Sequence, residues 1–256
     1  IAQEAVRTQK ELDDLKDLFM AIASHELRNP LTALKGYAQM LQRSLLKQRE
    51  ASSGQKAFTV SLEQSLSSLD KLLQLIERMN DLISQLLDFS RLQNKQLELY
   101  LTDGINLVDV VQRVVEQQRT TTKSQPLIMR TNEETILARC DEARLEQVLV
   151  NLISNAMKYS NPGSPVIVGI ERQVTDNGHA EAVIRVQDEG QGISEEHQAH
   201  IFDRFYRIRT QANAKVDGMG LGLYISQCIV TEHGGHMWLK SKLGAGTTFY
   251  FSLPLS

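Results

Sequence analysis

Cysteine, tryptophan and proline are scarce in this 256-residue chain: two Cys, one Trp and five Pro, with aromatic residues at 5%. Cys140 and Cys228 stand far apart and form neither a Cys-x-x-Cys pair nor a Cys/His cluster. That argues against a disulfide scaffold or a structural zinc and for reduced, intracellular surroundings. No apolar run approaches the ~18 residues that a bilayer crossing needs, and no signal peptide precedes the first helical stretch. The chain therefore reads as soluble and cytoplasmic, with no membrane contact of its own. Charge excess is missing too. The 28 Lys plus Arg against 31 Asp plus Glu leave a net −3, which gives no support to nucleic-acid binding. At ~100–200 residues per domain, the length allows two modest domains.

The first hundred residues hold two glycines, Gly36 and Gly54, and one proline, Pro30, in a background of Leu, Gln, Lys, Glu and Ser. This is helical composition. Apolar residues recur at alternating spacings of three and four: Leu12, Leu15, Phe19, Ile22, then Leu27, Leu31, Leu34, Ala38, Leu41 and Leu45. Such spacing marks a coiled-coil or bundle seam. The step from Ile22 to Leu27 is five, so the seam changes phase around His25. Polar residues Arg49 to Lys56 read as the turn of a helical hairpin, with Gly54 able to take a positive φ there. A second stripe follows, Leu62, Leu66, Leu69, Leu73, Ile76, Ile83 and Leu87, flanked by Leu72, Met79 and Leu86. Two helices cannot cover faces this wide, so the hairpin is expected to pair with a second copy as a four-helix bundle in a homodimer.

From about Asn94 the composition changes, with β-branched runs, most of the glycines and four of the five prolines. The boundary is set at residues 1–96 and 97–256. Helices are expected over Leu107 to Lys123, over Asp141 to Tyr159 with Asp141 as N-cap, and over Leu221 to His233, stopped by Gly234-Gly235. Strands are expected at Pro165–Val174 and Ala180–Asp188 around the turn Asp176-Asn177-Gly178, and at His236–Leu243 and Thr247–Leu253. With no regular βαβ repeat, the second domain reads as an α+β sandwich.

Five segments bear chemistry. In Ser24-His25-Glu26-Leu27-Arg28-Asn29-Pro30-Leu31 a histidine stands beside a carboxylate on a helix that Pro30 disturbs, because Pro30 has no N–H for the carbonyl of Glu26. An exposed His near its ordinary pKa of ~6.5 is mostly neutral and has a lone pair for attack on phosphorus, with Glu26 able to take or hold the other ring proton. Asn151, Asn155 and Lys158 share one helix face beside Tyr159, a set suited to a Mg²⁺-polyphosphate. Asp188-Glu189-Gly190-Gln191-Gly192-Ile193 closes a strand, and Gly218-Met219-Gly220-Leu221-Gly222-Leu223 opens a helix. Glycines let backbone approach a ligand closely, a helix start offers N–H groups to phosphate, and Asp188 can accept from an exocyclic amine such as that of adenine. Between them Phe202-Asp203-Arg204-Phe205-Tyr206-Arg207 leads into a polar stretch, Ile208 to Asp217, that reads as a closing segment, while Thr247 shares a strand side with Phe249 and Phe251. Singly, each has an ordinary explanation: a surface His beside a surface Glu, a solvated helix face, a turn aspartate, aromatics in the core. His179, His197, His200, His233 and His236 read as surface or capping residues.

Taken in order, the segments resemble the core of the sensor histidine kinases of two-component signalling: Ser24 to Leu31 the H box, Asn151 to Tyr159 the N box, Asp188 to Ile193 and Gly218 to Leu223 the two glycine boxes, Phe202 to Arg207 the F box. The resemblance implies a phosphotransfer hairpin followed by an ATP-binding domain of the Bergerat type, shared with gyrase. It makes His25 the phosphoacceptor, Glu26 its acid/base partner, and Arg207 a γ-phosphate contact. Asn155 becomes the Mg²⁺ ligand, with Asn151 assisting at the metal or phosphates. Lys158, Tyr159, Asp188, Gly190, Gly192, Ile193, Gly218, Gly220, Leu221, Gly222 and Thr247 line the nucleotide. Asn29, in a Glu-x-x-Asn pattern, implies phosphatase activity as well. ATP and Mg²⁺ are the implied cofactors. A second copy and the receiver domain of a response regulator are the implied partners. The opening Ile1-Ala2-Gln3-Glu4 has neither initiator Met nor helix cap, which points to a fragment lacking its upstream sensor module. An ATPase clamp of the same fold class without phosphotransfer, and a scaffold that only binds a regulator, are the alternatives.

Overall fold

Low glycine content and a three-four apolar repeat give the amino-terminal region two long helices, α1 (Ala2–Glu50) and α2 (Gln55–Gln93). They are seen in a computed structural model that describes residues 2–50, 55–94, 96–121, 125–175, 177–208 and 218–255. Its account of residues 2–19, 47–50 and 55–61 is limited to the backbone. Residues 51–54 of the expected hairpin turn, Gly54 included, lie outside the described residues, as does the expected closing segment from Arg209 to Asp217. The chain divides into two compact units, one built on Ile1–Ser90 and the other on Arg91–Val216 and Gly220–Ser256.

The helices of the first unit are antiparallel, registered by a hydroxyl pair, Ser44 Oγ to Ser65 Oγ at 3.2 Å, and by Lys71 Nζ placed 5.3 Å from the ring centre of Tyr37. On α2 the row Leu72, Leu75, Met79, Leu82, Leu86 and Phe89 is half-buried or buried. The stripe read from the sequence, Leu62, Leu66, Leu69, Leu73, Ile76, Ile83 and Leu87, is exposed along its whole length. A long apolar row left exposed among the described residues is a marked feature.

Pro30 lies inside α1 without ending it. Pro30 offers no N–H to the Glu26 carbonyl, and two residues on Thr32 Oγ1 donates to the Arg28 carbonyl at 2.9 Å. The phase change also has a local cause: the buried positions of α1 here are Ala23, Glu26 and Pro30, so a carboxylate occupies a seam position where a leucine would otherwise stand.

The second unit is a five-stranded sheet with helices on one face. Strands β1 (Thr102–Asn106) and β3 (Leu137–Cys140) form a separate antiparallel pair, and helix α3 (Leu107–Thr121) follows β1. The main sheet has the order β2 (Leu127–Arg130), β4 (Val166–Val174), β5 (Ala180–Asp188), β7 (Thr247–Pro254), β6 (Met237–Ser241). β2 runs parallel to β4 and every other pairing is antiparallel. Helices α4 (Glu142–Tyr159) and α6 (Gly222–Glu232) pack beside each other and on the sheet, and α5 (Glu195–Gln198) is a single turn.

Alternation explains which strand face is buried. Val166, Val168 and Ile170 of β4, Ala182, Ile184 and Val186 of β5, and Thr247, Phe249, Phe251 and Leu253 of β7 point into the core. Leu145, Leu149, Leu152 and Ile153 of α4 meet them, all fully buried, each contributing roughly 1.5–3 kcal/mol. Phe202 is half-buried, edge-on to Phe249 at 6.4 Å between ring centres. Asp141 caps α4 as expected, its Oδ1 accepting from the Arg144 N–H at 3.1 Å.

Candidate active site

On the helical unit, His25 and Asn29 stand one turn apart on the exposed side of α1, while Glu26 between them is buried. The His25 side chain is 71% exposed, and its Nδ1 lies 3.7 Å from Glu26 Oε1. Too long for a hydrogen bond, this distance still directs Nδ1 to the carboxylate and leaves Nε2 outward.

On the sheet unit, α4 carries the amides at the margin of its buried stripe. Asn151 and Asn155 are half-buried, Lys158 and Tyr159 exposed. Asn151 Nδ2 donates to Ser226 Oγ of α6 at 2.9 Å, and Gly222, the first residue of α6, packs directly on the Asn151 amide oxygen, where a Cβ would overlap it. The amide oxygen of Asn155 is the hard donor type that Mg²⁺ accepts; that of Asn151 lies against the first residue of α6. The donor set suits a Mg²⁺-polyphosphate.

Asp188, at the end of β5, is 5% exposed. Its Oδ1 accepts the Gly190 N–H at 2.8 Å and the Thr247 N–H at 3.2 Å, which leaves Oδ2 without a protein donor among the described residues. Burial pushes this carboxyl above the usual carboxylate range, against the two backbone N–H groups that pull it down. Gly190 bridges to Ser160 just past α4, so close to the Tyr159 carbonyl that no side chain fits. Asn161 Nδ2 holds the same turn through the Glu189 carbonyl at 2.6 Å. Ile193 is fixed by its N–H to Ser241 Oγ at 2.8 Å, and Ser241 Oγ in turn pairs with Thr247 Oγ1 at 2.8 Å. Gly192 has φ +69° and presses on the Lys242 carbonyl. A shallow groove of about 290 Å³ near the end of β5 is lined by Gln187, Lys240 and Thr248, which alternate onto the sheet face away from α4, and so does not mark the site.

The aromatic motif meets the second glycine motif. The Phe205 N–H donates to the Gly220 carbonyl at 3.0 Å, and Phe205 itself has φ +63°, a strained value for a bulky residue. Gly220, φ +71°, lies against the Tyr206 carbonyl and the Arg207 stem. The charge of Arg207 acts on the Tyr159 phenol, offsetting part of the upward push of burial, so the phenol stays protonated. Gly220, Leu221 and Gly222 therefore join Asp188, Gly190, Asn151, Tyr159 and Arg207 in one unit. Gly218 does not belong to this unit.

Three fastenings in this unit were not read from the sequence. Ser226 fixes Asn151; its signal was its place one turn after Gly222 on α6. Asn161 fixes the first glycine turn. His233, expected at the surface or as a cap, stands at the C-cap position of α6 but is 8% exposed, accepting at Nε2 from the Asp141 N–H at 2.9 Å.

Residues 15–95 match the family model described as the His Kinase A (phospho-acceptor) domain, and residues 140–256 the one described as Histidine kinase-, DNA gyrase B-, and HSP90-like ATPase. The chain belongs to the sensor histidine kinases. It is 31% identical over 247 residues to Sensor protein SrrB of Staphylococcus aureus strain N315, an alignment taking in 96% of this chain and 39% of that protein. The chain thus spans about two-fifths of the length of the curated relatives it matches. The expected fold, a helical hairpin followed by a mixed α/β domain, recurs in the Acinetobacter baumannii histidine kinase AdeS, with TM-score 0.58 and 23% identity over 91% of this chain and 98% of that one. Full-length ShkA in complex with AMPPNP has TM-score 0.58 and 24% identity, over 94% of this chain and 46% of that one. No helix among the described residues is long and apolar enough to cross a membrane.

Proposed function

We propose that this chain transfers the γ-phosphoryl group of Mg·ATP to His25 and passes it to an aspartate of a response-regulator receiver domain. The observation that carries the reading is the His25–Glu26 pair: an exposed imidazole whose Nδ1 faces a buried carboxylate 3.7 Å away. In this arrangement Nε2 attacks the γ-phosphorus, the bond to the bridging oxygen of the leaving ADP breaks, and Glu26 draws off the Nδ1 proton as phosphohistidine forms. The chemistry requires the triphosphate to be brought to His25 during the reaction, so catalysis is mainly positioning and charge neutralisation.

The same reading gives the residues of the sheet unit their roles. Asp188 Oδ2 accepts the adenine amine. Gly190, Gly192, Ile193 and Thr247 shape the base corner, with Tyr159 and Lys158 at the end of α4. Gly220, Leu221 and Gly222 border the phosphates, and Arg207 neutralises γ-phosphate charge. Asn155, assisted by Asn151, holds the Mg²⁺ that arrives with the nucleotide and screens the phosphate oxygens. The AMPPNP bound to ShkA supports a nucleotide here. Asn29, on the same exposed side of α1 as His25, positions a water for dephosphorylation of the regulator. The exposed leucine row of α2 pairs with a second copy, and the chain works in the cytoplasm downstream of a sensor module.

Incubation with γ-labelled ATP tests the reading. An acid-labile label on the wild type that is absent from His25→Gln is the expected result. Phosphate released to water with no protein label would instead mark an ATPase clamp, and no turnover at all a scaffold.

A further inference from the structure

Asp141 is the point where three separate segments of the sheet unit are tied together. Its own N–H donates to His233 Nε2 at 2.9 Å, its Oδ1 accepts the Arg144 N–H at 3.1 Å, and its Oδ2 accepts the Tyr100 N–H at 2.9 Å. The first bond reaches the C-terminal end of α6, the second opens α4, and the third holds the strand-free segment ahead of β1. Asp141 and His233 are both buried, at 6% and 8% exposure. Beside them Cys140 is fully buried, its thiol pushed up to about 11 by burial and by the nearby carboxylates, so it brings no charge to the cluster.

The bonding of His233 leaves one tautomer. A backbone N–H can only donate, so Nε2 must be the unprotonated nitrogen; the Ile229 carbonyl, 2.8 Å from Nδ1, can only accept, so Nδ1 carries the proton. A neutral imidazole with one donor and one acceptor, both used, bolts the end of α6 to the start of α4.

Ten and fourteen residues on, about 15 and 21 Å along the axis at ~1.5 Å per residue, α4 presents Asn151 and Asn155. A second bolt, Asn151 Nδ2 to Ser226 Oγ, joins the middle of α4 to the first turns of α6. The apolar face of α4 packs it on the sheet, and the two hydrogen bonds set its rotation against α6 at two points; losing one relaxes that rotation, and side-chain atoms far from the axis move most. Resting on the nucleotide-site reading above, we propose that His233 is a positioning residue for nucleotide binding. Through its acceptor Nε2 it fixes the roll of α4 and with it the orientation of Asn151 and Asn155 toward the phosphates and the start of α6.

Binding of Mg·AMPPNP, measured by calorimetry well below each protein's melting temperature, tests this with three variants. His233→Gln keeps an acceptor at the Nε2 position, His233→Asn keeps only a donor at the Nδ1 position, and His233→Phe keeps ring volume alone. The expected result is an affinity within about twofold of wild type for Gln, and a loss of about tenfold or more for Asn and Phe. Should Phe fail to fold, Asn carries the same prediction. Equal affinity in the folded variants, whatever their melting temperatures, would overturn the proposal, because a brace that serves stability alone moves melting and leaves binding untouched. A Gln variant as weak as Asn would overturn it too. The ¹⁵N signature of His233 in the wild type is an independent check, expected as Nδ1–H with a bare Nε2; the opposite tautomer refutes the bonding. Failure of the wild type to bind nucleotide would refute the site reading instead, with the tautomer still measurable.

Discussion

Gly222 and Asn151 touch so closely that no side chain can stand between them: a Cβ on Gly222 would overlap Asn151 Oδ1, while Asn151 Nδ2 is held by Ser226 Oγ at 2.9 Å. The first residue of α6 and the central amide of α4 are therefore one contact, and the glycine is required by its neighbour and not by its own backbone. In Gly222→Ala the amide must swing away and lose Ser226. Calorimetric titration with Mg·AMPPNP is expected to show a loss of about tenfold, ~1.4 kcal/mol, with little change in melting temperature. An unchanged affinity would remove Asn151 from the site.

Asp188 gives two pH effects of opposite sign. Burial raises its pKa above the ordinary ~3.9, so in the free protein the ionised form costs stability above the raised value, and that cost is relieved as pH falls through it. Acceptance from the adenine amine needs the ionised form, so nucleotide affinity falls over the same window while Asp188's own effect on stability is favourable. Asp188→Asn, which keeps the Oδ1 acceptor for Gly190 and Thr247, is expected to hold its melting temperature without nucleotide and to bind ATP about 10- to 100-fold more weakly. Parallel melting and binding curves from pH 7 to 4.5 check both signs. Affinity that stays flat across that range would contradict the role.

Where local signals are long and uninterrupted the sequence was readable, and where partners are remote it was not. The α4 helix was legible from the Asp141 cap and its apolar face, α6 from the Gly234-Gly235 stop, and β4, β5 and β7 from eight or nine alternating residues. Strands β1, β2 and β3 were missed because four or five residues are too short for alternation to accumulate, and β2 gains its place only by parallel pairing with β4, some forty residues later. The motif residues were legible as types, but their fastenings were not. His233 looks like a cap because it stands before a Gly-Gly stop, and nothing local reveals that its partner is Asp141, 92 positions upstream.

Gly190 lies where β5 ends and its turn meets the end of α4. A Cβ there would collide with the backbone carbonyl of Tyr159, and backbone, unlike the tip of a side chain, cannot step aside. Gly190→Ala must separate the turn from Ser160 and strain the N–H bond to Asp188 Oδ1. A destabilisation of about 2–3 kcal/mol is expected in urea unfolding, together with loss of nucleotide binding. A stable variant that still binds would show that the turn relaxes freely, against the close approach seen here.

The leucine stripe of α2 sets the last expectation. Leu69 and Leu73 are 44% and 52% exposed in the single chain, whereas Leu72 and Leu75, on the neighbouring row, are half-buried. If the exposed row faces a second copy, Leu69→Glu with Leu73→Glu places four carboxylates in that interface, where desolvating charge without partners is costly. Light scattering is expected to give twice the chain mass for the wild type and a single chain mass for the double variant. The melting temperature should depend on concentration only in the former, since a dimer's stability is tied to protomer concentration. A double variant that stays dimeric would place the interface on another face of the hairpin, and the exposed row would then need a different explanation.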